Sequence, residues 1–205
     1  MLRRLLPLAL VVLVLGVGSG CATAVSPAAR VGSTDISDKQ LADEVAQWAH
    51  NSAAFDKTQL AALNPGTYPM SLVTVILQQR IDLDLTNAAF ASLHLSISDQ
   101  DRTAALAALF RGDSTLAQQA LGGFSKAYAT TYVDDITRQY SVENHYGQQG
   151  YTAWRSAAYR AAHVEVSPRY GTWDAGTQTI VAPKGPLPAP GQTTTTTSTT
   201  APTGP

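Results

Sequence analysis

Four histidines, closely spaced aspartates and one cysteine are the side chains here whose types admit chemistry. His50, His94, His145 and His163 stand far apart. None has the H-x-x-x-H or H-E-x-x-H spacing that sets two imidazoles on one helix face for a zinc ion. They read as surface or helix-capping residues, and no metal or cofactor is expected. Serine, histidine and aspartate are all present, but no G-x-S-x-G occurs, and a triad is a matter of geometry. Gly122-Gly123 lacks the Lys and Ser/Thr of a phosphate-binding loop. Asp82 with Asp84, and Asp134 with Asp135, fall in helical stretches and read as solvated faces rather than acid–base pairs. One dense constellation remains, Arg169-Tyr170-Gly171-Thr172-Trp173. In one reading Tyr170 and Trp173 bury against the preceding helix while Gly171 makes a tight turn. In the other it is an aromatic edge that contacts a bound partner. The first is preferred because the motif closes the domain. No catalytic residue is expected, and the chain is not expected to be an enzyme.

Cys21 belongs to a different chemistry. Arg3 and Arg4 open the chain, an apolar run extends from Leu5 to Val17, and small residues follow. A basic start, a short apolar core and a small-residue zone describe a secretory signal. The run is too short for the ~20 apolar residues of a membrane span. Gly18-Ser19-Gly20-Cys21 resembles the lipobox of bacterial lipoproteins, with Gly18 where Leu is usual. That resemblance implies a diacylglycerol on the Cys21 thiol and cleavage before it, leaving the protein lipid-anchored on the outer face of the cell membrane. Ala22-Thr23-Ala24 offers a competing A-x-A cleavage site, which would discard Cys21 and release the protein. A lone cysteine makes no internal disulfide.

The signal carries two of the 14 basic groups and none of the 15 acidic ones, so the mature chain has a net charge near −3. No basic stripe interleaved with aromatics remains for nucleic acid. The chain divides into a signal and lipobox (1–21), a tether (22–28), a domain (29–182) and a Pro/Thr-rich tail (183–205). The tail has too few apolar side chains to offset its ordering entropy, and its composition is also that of glycosylated stalks.

The domain reads as mainly α. A short strand, a turn and a second extended piece run from Arg30 to Ile36. Ser37, with Gln40 three residues on, opens a helix whose inner face is Leu41, Val45, Trp48 and Ala49. Asn64-Pro65-Gly66 marks a loop. The longest helix is expected over Pro69 to Leu93, with Val73, Ile76, Leu77, Ile81, Leu85, Ala88 and Ala89 as its stripe. Gln78, Gln79, Arg80, Asp82 and Asp84 lie off it. Ser98 caps another helix, with Leu106, Leu109 and Phe110 inward and Gly112 at its end. Phe124 to Tyr140 and Gln148 to Ala162 follow as separate helices. Val164-Glu165-Val166 is a short strand expected to pair with the strand near Val31 in a two-stranded ribbon lying on the helices.

Three of these pieces carry a resemblance. Ala29 to Asp38 resembles the strand–turn–helix opening of the chaperone domain in SurA- and PrsA-like foldases. Leu95 to Asp101 resembles a helix start common there. His163-Val164-Glu165-Val166-Ser167-Pro168-Arg169-Tyr170-Gly171-Thr172-Trp173-Asp174 looks like the closing segment of actinobacterial SurA-N-domain lipoproteins. The resemblance covers most of residues 29–175. It implies a helical cradle for unfolded or exported client chains, working without ATP. No room is left for a parvulin prolyl isomerase domain of roughly 90–100 residues. A scaffold lipoprotein that keeps the fold and binds one partner is the alternative reading.

Overall fold

The computed structural model describes residues 27–51 and 68–183. Cys21, the Asn64-Pro65-Gly66 loop and the tail from Lys184 onward lie outside the described residues. Among the described residues the protein is mainly α. Its helices are α1 (Asp38–His50), α2 (Met70–Ser92), α3 (Asp99–Leu109), α4 (Ser114–Gly122) and α5 (Lys126–Ala162). Its strands are β1 (Ala29–Val31), β2 (Thr34–Ile36), β3 (Glu165–Val166), β4 (Thr172–Asp174) and β5 (Thr179–Val181).

The expected union of the domain's two ends is present. β1 pairs antiparallel with β3, Ala29 opposite Val166 and Arg30 opposite Glu165. The ribbon is wider than expected, because β2 pairs with the other edge of β1 and makes the order β2-β1-β3. Gly32 supplies the positive φ, +60°, that a two-residue hairpin loop needs. Its N–H caps the last turn of α5 by donating to the Ala162 carbonyl at 2.6 Å. A separate hairpin, β4-β5, follows Tyr170.

α2 is the axis of the domain and packs against α1, α5, β1 and β5. Val73, Ile76, Leu77, Ile81, Leu85 and Ala89 are buried as the stripe predicts. Leu72, Leu83 and Thr86 are buried as well, whereas Ala88 faces solvent. A helix covered on several sides is apolar around most of its circumference. The core adds Ile36, Leu41, Val45, Tyr159, Val164, Tyr170 and Ile180.

The local signals act as expected at the caps. The Ser37 hydroxyl accepts from the Gln40 N–H at 3.1 Å, while the Gln40 side chain turns to Glu44 instead of completing a capping box. Ser98 and Asp101 complete theirs. The inner face of α3 differs from expectation: Ala105 is its buried residue and Leu109 is 48% exposed. The short α4, capped by Asp113, has no counterpart among the expected helices.

The expected pair of late helices is one 37-residue element with a single break. Gly147 alone leaves helical geometry, at φ 67° and ψ 164°, and Gln148 restarts the helix. α5 is therefore longer than α2, and its first arm runs past the Tyr140 end expected for it.

Candidate functional site

α1, α2 and the first arm of α5 enclose an open groove of about 640 Å³. Arg80 and Leu83 of α2 lie in it, between Glu44 of α1 and Tyr128, Tyr132 and Asp135 of α5. The Arg80 guanidinium sits among three carboxylates from three helices: Asp84 at 2.8 Å, Glu44 at 3.6 Å and Asp135 at 3.7 Å. Asp135 is 5% exposed and also receives Arg138 at 2.8 Å and the Asn87 amide at 3.3 Å. Among the described residues the buried Arg80 Nε has no hydrogen-bond partner. Burial pushes the carboxyls of Glu44 and Asp84 above their ordinary values, and the Arg80 charge offsets only part of that rise. A proton on either carboxylate would therefore loosen the grip on Arg80.

The aromatic wall is held by its own contacts. The Trp48 indole N–H donates to the Tyr128 hydroxyl at 2.8 Å. Trp48 meets Phe124 and Tyr132 edge-on at 5.1 and 5.7 Å between centroids, arrangements that suit the ring quadrupoles. Burial pushes the hydroxyls of Tyr128 and Tyr132 up, so both stay neutral and act as hydrogen-bonding groups.

A second recess, about 540 Å³, lies where α5 bends around α2. Its buried edge is a lock between α2 and the second arm of α5. Asp82 accepts from Arg155 Nε at 2.9 Å and from the Tyr159 hydroxyl. Gln78 donates to that same hydroxyl at 2.9 Å and accepts from the Ile180 N–H at 3.1 Å. Burial foremost, then Asp82, pushes the Tyr159 hydroxyl well above the ordinary phenol range.

The expectation for the aspartate pairs is corrected here. Asp82, Asp84 and Asp135 are half-buried to buried ion-pair partners, and Asp134 holds Arg102 at 3.0 Å. They are joints between helices, placed where α2 and α5 face each other or a third helix, and each carboxylate there is met by an arginine. Glu44, Arg80 and Arg155 went unnoticed as partners. A sequence signal existed: Arg80 stands inside an apolar helix, four residues before Asp84, the spacing of a helical ion pair.

The Arg169–Trp173 motif closes the domain. Arg169 Nη1 reaches Asp38 Oδ2 at 2.8 Å and the Tyr170 hydroxyl donates to Asp38 Oδ1 at 2.9 Å, tying the segment to the first turn of α1. The Arg169 guanidinium also lies 4.7 Å from the Tyr170 ring centre. Burial, reinforced by Asp38, pushes the Tyr170 hydroxyl up to about 12. Trp173 stacks on Tyr159 at 5.1 Å. Gly171 takes φ +136°, and a Cβ there would overlap the Val181 carbonyl and Ile180. The motif and the groove are distinct places.

The histidines do not converge. His50 contacts the Ala46 carbonyl in the last turn of α1, His163 caps α5 in the left-handed region, and His145 meets the edge of Tyr146. Among the described residues no cluster of His, Cys, Asp and Glu could hold a metal ion, and no helix is long and apolar enough to cross a membrane. No family model, curated protein or solved structure matches the chain.

Proposed function

We propose that this chain is an ATP-independent, chaperone-like lipoprotein of the cell envelope. It is tethered through Cys21 and holds unfolded or exported client chains in the groove between α1, α2 and α5. The observation that carries the reading is the groove itself. It opens to solvent, is lined by Leu83, Tyr128 and Tyr132, and is crossed by charges from three helices. Such a surface offers aromatic contact area together with both donors and acceptors, which suits an extended or helical segment of variable sequence. The export-type start of the chain and the resemblance of residues 29–175 to the SurA-N chaperone domain support the same reading. No prolyl isomerase activity is assigned.

The test is suppression of aggregation of an unfolding client, followed by light scattering. Thr131 lines the groove and is exposed, so Thr131→Trp fills it without disturbing the core. The native chain should suppress scattering at a few-fold molar excess, and Thr131→Trp should lose most of that effect with an unchanged unfolding midpoint. No suppression by the native chain, or equal suppression by the variant, refutes the reading.

A further inference from the structure

The bend in α5 rests on one residue. Every residue of Lys126–Ala162 except Gly147 is helical, and the φ 67°, ψ 164° of Gly147 is a region open almost only to glycine. Nothing lies within 4 Å of where its Cβ would be, and across the bend the Tyr146 ring stacks on Trp154 at 5.5 Å. The larger hold is the second arm folding back on α2. The partners step along the two helices in opposite directions: Tyr151 with Thr86, Arg155 with Asp82 and Tyr159 with Gln78. Beyond that arm, β3 pairs with β1, and Tyr159, Val164, Tyr170 and Ile180 complete the core.

If Gly147 became helical, α5 would be one straight rod of about 55 Å. Residues 148–181 would leave their own α2 as a unit. The unit buries too much apolar surface to remain detached, and the surface that fits it is α2 and β1 of another copy.

We propose that Gly147 is a hinge through which two copies of this chain exchange residues 148–181. In the exchanged dimer each Asp82 is met by Arg155 and Tyr159 of the partner subunit, and each β1 by the partner subunit's β3. Both recesses at the bend are then built from two chains. The contacts of the second arm with α2 and β1 are reused between chains, while those across the hinge itself, such as the Tyr146–Trp154 stack, are given up, so the two forms differ mainly at the hinge. The inference stands apart from client binding and survives if that reading fails.

Two variants of the full chain push the hinge in opposite directions. Gly147→Ala disfavours the positive φ and favours continuous helix. Gln148→Pro fits the first turn of the second arm and biases residue 147 away from helical geometry, so it holds the bend. After refolding at high concentration, light scattering behind size exclusion should show Gly147→Ala at least tenfold more dimeric than the native chain, and Gln148→Pro monomeric. Exchange, as opposed to simple association, is read by adding Asp82→Arg to one Gly147→Ala chain and Arg155→Asp to another. Refolded together they should form the mixed dimer at least tenfold in excess over either like dimer, because only the mixed pair sets opposite charges against each other at both recesses. Monomeric Gly147→Ala that unfolds at lower urea, a dimeric Gln148→Pro, or a statistical mixture of dimers would each overturn the hinge.

Discussion

Tyr159→Phe isolates the part of the α2–α5 lock that carries energy. The ring is 3% exposed, and the substitution leaves its packing against Trp173 in place while deleting one hydroxyl. That hydroxyl donates to the Asp82 carboxylate and accepts from Gln78 at 2.9 Å. A buried hydrogen bond to a charged group contributes ~1.5–3 kcal/mol. Asp82 keeps its three bonds from Arg155 and Gln78 keeps a long contact to the Gln178 carbonyl, which places the loss near the middle of that range, about 2 kcal/mol. For a domain of this size this corresponds to a drop of about 4–8 °C in Tm. The Arg155–Asp82 pair should matter less. The two side chains are 40% and 26% exposed, so solvent screens them and Arg155→Ala should cost about 1 kcal/mol or less. Urea unfolding at pH 7 measures both, and unchanged m-values would show that the unfolded state has not shifted. The reasoning fails if Tyr159→Phe is neutral, or if Arg155→Ala is the more damaging of the two.

Gly171→Ala forces a side chain into a positive-φ position and against the β5 backbone, so it should destabilise by ~3 kcal/mol or more, visible as loss of Trp173 fluorescence anisotropy and a lower unfolding midpoint. Glu44→Gln tests the buried carboxylates. A carboxyl whose folded pKa is raised above its ordinary 4.5 favours folding below that value and loses the contribution as pH rises through the folded pKa. The variant should therefore be more stable than the native chain at pH 7 and lose that advantage near pH 4, which urea midpoints across the range will show.

The fold was legible wherever one side of an element decides its pattern. α1 has a single buried face, so Leu41, Val45 and Ala49 announce it, and Ser37 marks its start. Val31 and Val166 flank short apolar alternations that meet as strands. Legibility fails where an element is covered on several sides or on none. α2 buries Leu72, Leu83 and Thr86 outside the expected stripe because α1, the sheet and both arms of α5 surround it. α4 buries no residue at all, so Ser114–Gly122 has no apolar face to read. β5 shows only Ile180 as an inward residue, too little for alternation. The groove was illegible for another reason. Glu44, Arg80 and Asp135 are separated by 36 and 55 positions in the chain, and only tertiary packing brings their charges within 4 Å.

The central place of β1 has a consequence for a chain that emerges from its N-terminus first. β2 follows at once and takes one edge, but the other edge stays open until residue 165 has appeared. Through nearly the whole of that passage the nascent molecule presents three backbone residues seeking a neighbour. Completion thus waits on closure of a very long loop, and any strand met on the way competes with β3 for the vacancy.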